Sequence, residues 1–290
     1  STAGTFVCEA CGAELDVQRR SVHSTLAHDA IDEAAHRERL RPAASETLFA
    51  PDDIEKLLAK GRDAAFAAWQ AARLEARQGG RAERLYWLTV HIGRDVLTSD
   101  DERLLRALLE SAIEDVASPR YEQMLRSLLA EMAARAGDLP AAADWLGPCD
   151  ARMNDIHAHT AYRYARSYIA TLTRNYEVVL QMLGDDVDDV PLAASREAVC
   201  ALLRANALER TGRVADAEAG LKKAAAKHKG SSALLAELHA MHADLKLCPT
   251  AYRSSGIAVA ARPTQRLQWT VAAVAWLLVL VAVLWAFVLK

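Results

Sequence analysis

Three stretches decide the fold: residues 135–146 read RAGDLPAAADWL, residues 172–183 read LTRNYEVVLQML, and residues 210–221 read RTGRVADAEAGL. Superposed, they put Gly137, Arg174 and Gly212 at one position, 37 and 38 residues apart. A glycine just past a helical run is a stop signal, because the left-handed conformation that ends many helices costs it no Cβ clash. Outward from these turns, apolar residues recur at helical spacing from Leu26 to Leu245, and period-two alternation is almost absent. That predicts an all-α middle. Ile54, Leu58, Ala65, Trp69 and Ala72 share one stripe; Leu85, Leu88, Ile92 and Val96 share a second; Leu105, Leu108, Ala112 and Val116 share a third. Each stripe is a face that needs a partner. Pro51 and Pro119 sit at first-turn positions, SDDE at 99–102 reads as a capping box, and Gly79, Gly137 and Gly230 follow helical runs. Turns this short make consecutive helices antiparallel neighbours.

The repeating stretch, over roughly 121–229, resembles the tetratricopeptide repeat (TPR). In that family a small residue seven positions before the turn lets paired helices approach, and another five positions after it packs between repeats. Ala130, Ser167 and Ala205 match the first position; Ala142 and Ala217 match the second, with Val179 a departure. The spacing exceeds the family's period of about 34 residues, and the proline that ends each family repeat is missing. The expectation is therefore TPR-like helical hairpins, with residues 50–117 a more divergent continuation and a generic helical bundle as the alternative. The resemblance implies a curved stack whose concave face binds a peptide or partner helix.

The chain opens TFVCEACGAEL at residues 5–15, and FxCxxCGAxL looks like the first knuckle of a zinc ribbon. A tight CxxC turn points two sulfurs at one ion, and Gly12 suits the positive φ such a turn often requires. No second CxxC follows; His23 and His28 do, at close to Cys2His2 spacing. Structural zinc on Cys8, Cys11, His23 and His28 is the expectation, with His36 a substitute for His28 and a knuckle that no longer binds metal as the alternative. A redox role for the pair would need a βαβ setting, which the surrounding sequence lacks.

From Val271 to Leu289 every residue is Ala, Val, Leu, Trp or Phe. A helix of that length spans about 30 Å, the hydrocarbon thickness. Trp269 and Trp285 lie towards its ends, Arg253, Arg262 and Arg266 precede it and only Lys290 follows, so a single-pass C-terminal anchor with a cytoplasmic N-terminal domain is expected. No apolar stretch of signal-peptide length opens the chain. Alanine-rich, arginine-over-lysine usage suggests a bacterial plasma membrane. The layout reads as 1–28 zinc knuckle, 29–49 helix and linker, 50–247 helical domain, 248–268 basic juxtamembrane tether and 269–289 transmembrane helix.

A net charge of −3 over 290 residues gives no field for nucleic acid. Five cysteines with one tight pair do not form a disulfide framework; Cys149, Cys200 and Cys248 read as small buried hydrophobes. No phosphate-binding glycine loop, nucleophile elbow or HExxH occurs, and no small-molecule substrate is evident. His157 and His159 read as solvated or half-buried, 184–191 (GDDVDDVP) as a polar loop capping the next helix, and Lys222, Lys223, Lys227, His228 and Lys229 as a solvated face that could meet anionic lipid. The function expected is a membrane-anchored scaffold or adaptor that binds protein partners, not an enzyme. The alternative is a membrane-tethered regulator that sequesters a soluble factor, as zinc-containing anti-sigma factors do.

Overall fold

A computed structural model describes residues 4–7, 14–17, 33–46, 48–98, 101–229, 231–255 and 257. Two short strands, β1 (Gly4–Val7) and β2 (Glu14–Val17), pair antiparallel with Gly4 opposite Val17 and Val7 opposite Glu14. Helices follow throughout. They are α1 (33–40), a 3-10 turn Arg41–Ser45, α2 (Asp53–Leu58), α3 (Arg62–Arg77) and α4 (Ala82–His91), which runs into a π turn Ile92–Val96. Then come α5 (Glu102–Asp115), α6 (Pro119–Arg135), α7 (Leu139–Leu146), α8 (Ile156–Leu172) and α9 (Tyr176–Leu183). The series ends with α10 (Ala194–Arg210), α11 (Val214–Lys227), α12 (Ser232–Leu245) and α13 (Pro249–Ser254). The all-α expectation holds among the described residues from 33 to 257; the strand pair ahead of them was not anticipated.

The aligned turns have one backbone solution. Gly137, Arg174 and Gly212 all lie in the left-handed region, at φ 82°, 57° and 87°. At each, the next residue's N–H reaches back to close the helix: Asp138 to Ala133 O, Asn175 to Ala170 O and Arg213 to Leu208 O, at 2.9, 2.8 and 2.8 Å. Those bonds satisfy carbonyls that a helix end leaves without partners. Asp138 and Asn175 then cap the returning helices by accepting from Ala141 N and Val178 N. The products are three helical hairpins, α6/α7, α8/α9 and α10/α11, each opened by a helix of 17 residues. Gly79 makes the same turn between α3 and α4 at φ 77°.

Small side chains sit where the hairpins close. Ala130, Ser167 and Ala205 are buried, as are Ala142, Val179 and Ala217, so close helix approach is met at all three turns, with valine tolerated once. The predicted stripes are buried at Ile54, Ala65, Trp69, Ala72, Leu85, Leu88, Ile92, Leu108, Ala112 and Val116, and half-buried at Leu58, Val96 and Leu105. Two clusters form the main core. One gathers α2 to α6 around Leu85, Leu88 and Leu125; the other gathers α6 to α13 around Val199, Leu202 and Leu203. Helix α6 serves both, giving Leu125 and Leu129 to the first and Ala133 and Ala134 to the second.

Two buried arginines complete α9. Arg204 donates to Leu183 O at 2.7 Å and to Gly184 O at 3.2 Å, and Arg163 donates to Met182 O at 2.5 Å. Guanidinium groups at a helix C-terminus satisfy its last carbonyls and meet the negative end of its dipole.

Several local readings need correction. Of the SDDE box, Ser99 and Asp100 lie outside the described residues; α5 begins at Glu102, and Asp101 takes bonds from Thr98 N and Oγ1. Pro51 stands two residues ahead of α2, not in its first turn. The 184–191 loop closes on itself, Asp189 accepting from Asp185 N and Asp186 N, and α10 starts at Ala194 behind an Ala193 N-cap that offers no side-chain hydrogen bond. The lysine face is solvated as expected, its lysines exposed and paired at the surface (Lys223 with Asp186 and Asp188, Lys227 with Glu197, Lys222 with Glu218), but His228 is buried. The segment expected as a tether from 248 begins as α13, which packs Cys248, Ala251 and Tyr252 into the second cluster. No helix among the described residues is long and apolar enough to cross a membrane, and residues 269–289 lie outside them.

Candidate functional site

The long helices α6, α8 and α10 stand side by side, with α4 beyond α6, and together they line a cavity of about 200 Å³. Its apolar wall is Tyr86 and Trp87 from α4, Met124 and Leu128 from α6, and Ala161 from α8. Tyr86 and Trp87 meet edge to face with centroids 5.3 Å apart, which fixes both rings. The stripe that buries Leu85 and Leu88 necessarily turns Trp87 to an adjacent side of α4, since consecutive helical residues point about 100° apart.

The polar floor is a closed network. The Glu131 carboxylate accepts the Tyr164 hydroxyl at 3.1 Å and Arg135 Nη2 at 2.8 Å, and lies 3.7 Å from Arg196 Nη2. Arg196 donates onward to Glu237 on α12 at 2.7 Å, and its guanidinium lies 4.7 Å from the centre of the Tyr164 ring. Burial, reinforced by Glu131, raises the Tyr164 phenol above its ordinary value, and burial does the same for Tyr86. Burial holds His157 below the usual imidazole value. Nearby hydroxyls are committed: Ser127 Oγ donates to Gln123 O, and Thr160 Oγ1 donates to Ile156 O while accepting from Ala193 N. This surface has neutral rings on its wall and paired charges beneath.

The expected zinc ligands Cys8, Cys11, His23 and His28 all lie outside the described residues. The strands around the cysteines do bear on them. Pairing Val7 with Glu14 holds the ends of segment 8–13 together, a backbone setting that suits a CxxC donor pair joined across one short connection. His36, named as a substitute ligand, is committed elsewhere. It is 1% exposed, donates from Nε2 to Met153 O at 3.2 Å, and meets the His159 ring at 5.1 Å. Among the described residues no group of three His, Cys, Asp or Glu is placed to hold a metal.

His157 and His159, expected as solvated or half-buried, are both buried on opposite sides of α8, the first facing the cavity and the second facing α1. Helix α1 is pinned there by Glu33, which takes Arg163 Nη2 at 2.6 Å. Cys200 and Cys248 are buried as expected, with burial pushing both thiols up to about 12; Cys149 is only partly covered, and its thiol is pushed up to about 11. The groove itself was missed from sequence. Its available signal was the aromatic pair Tyr86–Trp87, beside the Leu85 and Leu88 stripe of α4.

Comparison with family models, curated proteins and solved structures finds no match to this chain.

Proposed function

We propose that this chain is a membrane-anchored scaffold or adaptor whose TPR-like helical array docks a protein partner in the groove across α4, α6, α8 and α10. The observation that carries the reading is the aromatic and aliphatic wall of Tyr86, Trp87, Met124 and Leu128 standing over a saturated ionic floor. Such a surface supplies buried anchor contacts and orientation, which is what recognition of a protein segment requires. The three equivalent left-handed turns and their buried small residues support the TPR-like description. A structural zinc head on Cys8, Cys11, His23 and His28 forms a second docking module. Residues 269–289 hold the protein in the bilayer with its helical domain on the cytoplasmic side, in a bacterial plasma membrane.

The test is photo-crosslinking from Leu128, replaced by a photoreactive residue, in intact membranes. One dominant protein adduct, lost on Tyr164→Ala, is expected; no adduct above background refutes the docking role. Alkaline carbonate should leave the full chain in the membrane pellet and release a chain lacking 269–289.

A further inference from the structure

Part of the groove is already taken by the chain itself. Glu46 leaves the 3-10 turn with extended backbone, at φ −66° and ψ 134°, and Leu48 packs half-buried against the first core cluster. Both line the cavity, and the Glu46 charge reaches His157. Yet little fixes this strap. Among Glu46, Leu48, Phe49 and Ala50 the one backbone-to-backbone bond is Glu46 N to Ala43 O, and Phe49 is 76% exposed. Side chains hold it, so side chains of another segment can replace it.

The fit it makes is also incomplete. The cavity of about 200 Å³ remains beside Leu48, and the Nε1–H of Trp87 in its wall is shielded from solvent without an acceptor. A buried donor lacking a partner is rare and calls for an explanation. An extended peptide carries carbonyls along its length and could supply that acceptor. At the other end, the uncapped first turn of α10, at Ala194 and Ser195, borders the cavity beside Arg196 and favours a carboxylate.

We propose that Glu46 and Leu48 are a built-in occupant of the groove. The partner that displaces them is an extended peptide of the same chemistry: an acidic residue followed two positions later by a large aliphatic one. The acid faces His157 and the start of α10, the aliphatic side chain enters beside Trp87 and Leu128, and a peptide carbonyl takes the Trp87 Nε1–H. The strap can leave without undocking α1, which is held separately by Glu33 on Arg163 and His36 on Met153. This deepens, and rests on, the reading of the groove as the docking surface.

The experiment uses the full chain in detergent and a fluorescein-labelled peptide of this protein's own residues 43–52, followed by anisotropy. Leu48→Ser, which frees the groove, should bind the peptide at least about 10-fold tighter than the unaltered chain, a difference of about 1.4 kcal/mol. A peptide with serine at the leucine position should not bind. Adding Ala161→Trp, which fills the cavity from α8, should abolish binding. Equal affinity for both chains, indifference to the peptide's leucine, or binding that survives the filled cavity each overturns the proposal. A peptide that binds as expected, with no adduct in membranes, would instead refute the scaffold reading alone.

Discussion

Arg204 Nη2 donates to the carbonyl of Leu183 at 2.7 Å, so a cation 2% exposed on α10 closes the C-terminal end of α9 on the neighbouring hairpin. Replacing it by leucine fills similar space but leaves the Leu183 and Gly184 carbonyls facing hydrocarbon. Arg204→Leu should cost about 2–4 kcal/mol in urea unfolding followed by far-ultraviolet circular dichroism. Arg213→Ala, which removes the solvated pairs with Asp185 and Asp216, is the contrast and should leave the midpoint essentially unchanged. A similar midpoint for the two variants contradicts a capping role for Arg204.

The three turns make opposite predictions from one conformation. An added Cβ at Gly137 or Gly212 meets nothing within 4 Å, so any cost is one of backbone conformation alone. Gly137→Ala and Gly212→Ala should each destabilise by about 1 kcal/mol. Arg174 already pays that strain at φ 57°, and Arg174→Gly should stabilise by up to about 1 kcal/mol. Thermal melts of the three variants give the signs directly.

His159 makes stability depend on pH. Burial first, then Arg163 and His36, pushes its pKa down to about 2, so the folded chain leaves it neutral while the unfolded chain protonates it near the ordinary value. The unfolded state therefore takes up the extra proton. The contribution is intact above about pH 6.5 and is lost as pH falls, at about 1.4 kcal/mol per unit. His159→Gln keeps an acceptor for Arg163 Nε and should lose about 2 kcal/mol less than the unaltered chain between pH 6.5 and pH 5. Parallel pH profiles for the two would exclude His159 as the source.

Zinc analysis of the full chain should find about one ion, absent from a Cys8→Ser, Cys11→Ser variant and reduced in His23→Ala and His28→Ala. Chelation should leave the melting of α2 to α13 unmoved, because no metal group lies among their described residues. A chain purified without zinc, and unable to take it up, removes the zinc head.

What could be read in the sequence was what local geometry dictates. A left-handed residue after a helix, a small side chain at a crossing and a stripe at helical spacing follow from the backbone, and Gly137, Gly212, Ala130 and Ala205 declared themselves. Partners distant in sequence did not. His36 looked like a substitute metal ligand because its place one to two helical turns beyond His28 is visible, whereas the Met153 carbonyl that claims it lies 117 residues away. Lys227 is exposed as read, but its partner was hidden, because Glu197, 30 residues earlier, comes to it only when α10 and α11 fold together. The groove required knowing that α4, α6, α8 and α10 share a side, which no single helix records.

Helix α6 belongs to both large cores, with Leu125 and Leu129 in one and Ala133 and Ala134 in the other. It acts as a party wall: neither half can shed its interior without stripping one end of the same rod. Parting the two halves therefore means exposing buried side chains at one end of α6.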